Sequence, residues 1–121
     1  MHINDLKLYP LRIPTGWKVT HNRFYEFDPH QNPTLEGVYQ DNPWLVFVEN
    51  LLQLQHTPYP FLIDLGWYPE ADPKGNFRLS LIKNQDWNQP LRIYESKSGS
   101  AIVEKIEDWL REIGLKFGNV D

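Results

Sequence analysis

The chain has no cysteine, which excludes thiolate catalysis, a disulfide framework and cysteine-based zinc sites. It also lacks any apolar run approaching the roughly 18 residues of a membrane span, and Met1-His2-Ile3-Asn4-Asp5 does not have the basic, then apolar, layout of a signal peptide. A cytoplasmic protein without membrane association is the expectation. Lysine and arginine are missing throughout residues 24–73, where Glu26, Asp28, Glu36, Asp41, Glu49, Asp64, Glu70 and Asp72 all carry negative charge. Both flanks are basic or balanced, so the net charge of −4 arises in the middle of the chain. That balance argues against a nucleic-acid binder. An acidic block folded into one surface would attract a cationic partner and speed its encounter, and the plainer alternative is a solvated face that aids solubility.

What is present specifies one domain, residues 1–121, because a chain of this size buries roughly two-thirds of its unfolded surface without metals or disulfides. Pro10 and Pro14 bracket a short leading segment. Trp17 to Phe27 mixes aromatic and β-branched residues with polar ones and predicts a half-buried strand. His30 to Pro43 is turn-rich and predicts an exposed loop, with a short extended piece at Gly37 to Gln40. Trp44 to Gln55 has features of both states; the alternation of Trp44, Val46 and Val48 favours a strand. Phe61 to Tyr68 is a nearly continuous apolar run suited to a central strand, and Pro69 to Asn76 joins it to an alternating strand at Phe77 to Leu81. A turn at Asn84 to Pro90 leads to a last strand at Leu91 to Tyr94.

Ile102, Val103, Ile106, Trp109, Leu110 and Ile113 form one stripe of a 3.6-residue period, which predicts an amphipathic helix. Ser98 or Ser100 would cap it, Glu107 and Arg111 would pair across one turn, and Gly114 would end it. The fold class that follows is α+β: a single antiparallel sheet of about four or five strands packed by one C-terminal helix.

Few residues suggest chemistry. His2, His21, His30 and His56 show no metal-ligand spacing, so neither a metal nor a cofactor is expected. Asp64 inside an apolar strand is the type of carboxylate that serves as a general base, yet such a residue more often accepts hydrogen bonds from amides, an arginine or an indole. Asp64, Glu70 and Lys74 do not have the Glu-x-Lys spacing of a restriction-type nuclease. Ser98-Gly99-Ser100 before a helix suits a phosphate, but helix capping explains the same residues. The turn Glu70 to Gly75 lacks the oxygen-rich alternation of a calcium loop. Trp67 and Trp109 are assigned to the core, whereas Trp87, between Asp86 and Asn88, is either exposed, as interface tryptophans are, or folded back over the core edge.

The order Ile13-Pro14-Thr15-Gly16-Trp17, Asn22-Arg23-Phe24 with Asp28-Pro29, Leu51-Leu52-Gln53-Leu54, Ile63-Asp64-Leu65-Gly66-Trp67-Tyr68-Pro69, Asp72-Pro73-Lys74-Gly75 and the helix from Ile102 to Leu110 resembles small bacterial immunity proteins. These are the antitoxins encoded beside the toxin tips of contact-dependent growth inhibition and related polymorphic toxin systems, and the likeness runs from Ile13 to about Ile113. It implies a non-enzymatic protein, monomeric or weakly dimeric when free, that binds a cognate, basic toxin domain such as a nuclease and covers its active site. Under that resemblance Glu36, Asp41, Glu70, Asp72 and Trp87 would contact the partner. A binding module unrelated to toxins is the first alternative, and a small enzyme pairing Asp64 with a histidine such as His56 the second.

Overall fold

Alternating apolar side chains on consecutive hairpins leave one face of a sheet in need of cover, and a single amphipathic helix supplies it. The computed structural model describes residues 1–56 and 60–117. Five strands, β1 (Trp17–Asn22), β2 (Leu52–His56), β3 (Phe61–Tyr68), β4 (Asn76–Lys83) and β5 (Arg92–Ser96), form one antiparallel sheet in the order β1-β2-β3-β4-β5. The helix α1 (Gly99–Phe117) follows and packs against β4 and β5. This is the α+β layout that the sequence predicts.

Register decides which residues meet the helix. Leu52, Leu65 and Leu79 lie side by side across β2, β3 and β4, as do Leu54, Ile63 and Leu81. All six are buried with Ile102, Ile106, Trp109, Leu110 and Ile113 of α1 in one core. Full burial of each such side chain contributes roughly 1.5–3 kcal/mol. Polar residues fall on the opposite face because strand side chains alternate: His21, Gln53, Asp64 and Ser80 form a row there.

Several local expectations are corrected. Trp44 to Gln55 is not one strand. Pro43 to Val46 is a 3₁₀ turn, and only Leu52–His56 is extended. Pro43 presets the turn and the Asn42 side chain caps it by accepting the Trp44 N–H at 3.0 Å, which overrides the strand-like alternation. β1 stops at Asn22, after which Tyr25 bridges to Leu8 of the leading segment. Residues 39–41 form a 3₁₀ turn with left-handed Gln40 and Asp41, not an extended piece. Gly114 does not stop the helix, which continues to Phe117. Glycine inside a helix costs about 1 kcal/mol, a penalty that burial of the apolar stripe outweighs. Arg111 pairs with Asp108 at 2.7 Å, because the Glu107 carboxylate instead accepts the Arg12 N–H.

Candidate functional site

Three segments distant in sequence converge at one end of the sheet: the loop from Asp28 to Trp44, the β3–β4 turn at residues 69–75, and the start of α1. They enclose a cleft of about 330 Å³ whose walls include Tyr9, Phe27, Trp44, Phe47, Trp67 and Phe77, with Asp28, His30, Lys97 and Ser98–Ser100 as its polar groups. An aromatic wall with a few placed polar groups is the usual make-up of a recognition site.

Each wall is fixed by identifiable contacts. Trp67 is 3% exposed and projects from β3 into a group of rings, 4.9 Å from Phe47, 4.9 Å from Phe77 and 5.9 Å from Trp44. Its indole N–H donates to the Asp72 carbonyl at 2.9 Å, which holds the turn against the ring cluster. Ala71 N–H donates to the Phe47 carbonyl at 2.8 Å, so the same turn is tied to the segment that follows Trp44. Lys97 Nζ donates to the carbonyls of Lys74 (3.4 Å) and Gly75 (3.0 Å), which fixes the ammonium at the turn.

At the start of α1, Ser98 Oγ accepts the Ala101 N–H at 3.2 Å, the capping role expected of it. Gly99 is required because a Cβ there would collide with the Tyr9 ring and hydroxyl. On the loop side, Asp28 Oδ1 accepts the His30 N–H at 2.9 Å, and the His30 ring meets Trp44 edge-on at 5.5 Å. Burial pushes the Tyr9 hydroxyl pKa upward, and the negative charges of Glu26 and Asp28 push it further.

Glu70 and Asp72 sit on the turn whose Pro73 lines the cleft. Glu36 and Asp41 sit, exposed, on the loop that delivers Trp44. That loop is also bound to the N-terminus, with Ile3 N–H donating to the Glu36 carbonyl and Glu36 N–H to the Met1 carbonyl, both at 2.8 Å. Trp87 is 49% exposed but lies on the β4–β5 turn, about 25 Å away along the length of β4. None of the five expected contact residues lines the cleft itself: Glu70 and Asp72 flank it on the turn, Glu36 and Asp41 lie elsewhere on the long loop, and Trp87 is at the opposite end of β4.

Asp64 is 9% exposed and accepts the Gln53 side-chain N–H at 3.2 Å. Burial raises its pKa, while that hydrogen bond and the His21 charge oppose the rise. His56 occupies the helix-covered face with Leu52 and Leu54, so the sheet itself separates it from Asp64. A larger cavity of about 470 Å³ lies at the far end, walled by Phe61, Leu81, Leu91, Ile113 and Leu115. Of its rim charges, Arg92 and Glu112 are paired with each other at 2.6 Å, and Lys83 is a third.

Sequence reasoning missed Tyr9, Phe27 and Lys97 as site residues, because only tertiary structure brings them to Trp44 and Trp67. The available signal was chemical: aromatic residues immediately before or after Asp-Pro and Asn-Pro turns, at Phe27-Asp28-Pro29 and Asn42-Pro43-Trp44. Three segments that carry the family resemblance, Asp28-Pro29, Trp67 and the Asp72 to Gly75 turn, meet at this cleft. Compared with known proteins, the chain matches no family model, no curated sequence and no solved structure.

Proposed function

We propose that the protein is a non-catalytic binding module whose loop end receives a cationic protein partner, and that it acts as an immunity protein covering the active site of a cognate, basic toxin domain. Support comes from one observation: carboxylates drawn from widely separated positions, Asp28, Asp41, Glu70 and Asp72, lie on the loops that border a single aromatic cleft. A toxin that acts on nucleic acid needs a basic groove for phosphate, and an anionic surface competes for the same groove. The acidic loops steer the encounter, and the aromatic cleft supplies the desolvated anchor that slows dissociation. Because hydrogen bonds already hold the turn and loop in place, little ordering entropy is lost on binding.

The test is co-expression with the toxin domain encoded in the upstream open reading frame. Rescue of growth with co-purification is the expected result, and rescue without a stable complex overturns occlusion. Replacing Asp41→Asn, Glu70→Gln and Asp72→Asn together should slow association and flatten its salt dependence, since distant charge pairs act mainly on the encounter rate. An unchanged association rate at low salt removes the acidic surface from the account.

A further inference from the structure

We propose that the aromatic cleft is the receptor for a single arginine side chain of the partner, with its guanidinium lying against Trp44 and paired to the Asp28 carboxylate. The inference rests on the cationic-partner reading above and adds the identity of the anchor. At about 330 Å³ the cleft is at the small end of ligand-sized cavities, room for one side chain and not for a large molecule. Six of its lining residues are Phe, Tyr or Trp, and a planar, weakly hydrated guanidinium stacks on such rings better than an ammonium does.

Charge points the same way. Lys97 is held on the turn side of the cleft by two backbone carbonyls, which fix the ammonium and leave its charge in place, so an incoming cation is received on the loop side. Asp28 has one oxygen accepting the His30 N–H and a second facing no donor among the described residues. The Tyr9 wall feels the negative charges of Glu26 and Asp28. An anion bound at the first amides of α1 is the competing occupant, and one experiment separates the two.

The uniformly ¹⁵N-labelled full chain is titrated with N-acetyl-arginine amide, with its uncharged glutamine counterpart, and with inorganic phosphate. Expected are saturable shifts of the Trp44 indole N–H and of the amides at Asp28 and His30 with the arginine compound alone. Asp28→Asn keeps an oxygen for the His30 N–H, so the loop is preserved and the amide spectrum verifies it. That variant should bind the arginine compound about fivefold more weakly or worse. Trp44→Leu should do the same. An unmoved Trp44 signal, equal binding by Asp28→Asn, or saturation by phosphate at Gly99 and Ser100 overturns the assignment. If both variants lose the arginine compound yet still protect against the toxin with unchanged affinity, the anchor falls and the cationic-partner reading stands. If the compound binds as expected but no cationic partner forms a complex, the arginine receptor stands and the immunity reading falls.

Discussion

The two ends of the sheet are built differently. At the β3–β4 end, the Trp67 indole and the Lys97 ammonium donate to carbonyls of the turn and the turn's own Ala71 N–H donates to the Phe47 carbonyl, so the loops and the helix start behave as one piece. At the β4–β5 end, the turn around Trp87 is held mostly by its own backbone: Asp86 N–H to the Lys83 carbonyl, Trp87 N–H to Gln85 and Gln89 N–H to Asp86. Among the described residues its long-range backbone tie is Asn84 N–H to the Pro60 carbonyl at 2.8 Å. Exposure of an aromatic residue thus says less about recognition than the rigidity of what surrounds it. Half-exposed Trp87 sits on a locally closed turn, whereas the mostly buried rings near Trp67 frame a fixed cleft.

Removing the centre of the organised end has the largest expected effect. Trp67→Ala deletes a buried ring in contact with three aromatic neighbours and the donor that holds Asp72. A loss of about 3–5 kcal/mol in urea unfolding is expected. Trp67→Phe keeps most of the ring but not the N–H, and should cost about 0.5–1.5 kcal/mol through the lost indole hydrogen bond, since the Gly75 N–H still donates to the Asp72 carbonyl. If Trp67→Ala is no worse than a surface substitution, the two ends are not different in kind.

Gly99→Ala comes next. Its Cβ would run into the Tyr9 ring, so either the leading segment or the helix start must shift. The expected loss is about 1–3 kcal/mol, measured by urea unfolding, together with a displaced Tyr9 signal. A neutral result would mean that the leading segment yields freely and the cleft wall is soft.

These cases show why some of the molecule is legible in one dimension. The stripe from Ile102 to Ile113 and the run from Phe61 to Tyr68 are periodic, and periodicity reports directly on which face is buried. Trp44 misleads because its alternation with Val46 and Val48 is real, while a proline and an asparagine cap one residue away fix the backbone otherwise. The helix end at Gly114 misleads in the opposite direction, since a local stop signal loses to a buried stripe. The cleft is illegible because Tyr9, Asp28, Trp44, Trp67 and Lys97 share no spacing. Their nearness exists only once β3 and β4 are paired and α1 has docked.

The face of the sheet opposite α1 offers a smaller, pH-dependent contrast. Burial holds the Asp64 pKa above the ordinary carboxylate range, so the folded protein binds this proton more tightly than the unfolded chain does. The resulting stabilisation is complete below the ordinary range and is lost as pH rises through the raised pKa. Asp64→Asn retains an oxygen for the Gln53 N–H and has no charge to bury. Its stability relative to the unmodified protein should therefore improve as pH rises from about 4 to 8. Urea midpoints at several pH values measure that difference, and a variant that loses ground with rising pH would show that Asp64 is needed in its ionised form.

Trp87→Ala is the smallest expected effect and the sharpest check on the comparison. Nearly half of the side chain already faces solvent, and no side-chain hydrogen bond holds it among the described residues. Unfolding free energy should change by no more than about 0.5 kcal/mol. Protection against the toxin and binding of the arginine compound should both be unchanged, because the Trp87 turn is separated from the cleft by the full length of β4. Loss of protection in a stable Trp87→Ala protein would transfer the partner surface to the opposite end. The acidic loops would then be a solvated rim, and the family resemblance would have identified the aromatic residue that matters while the cleft had not.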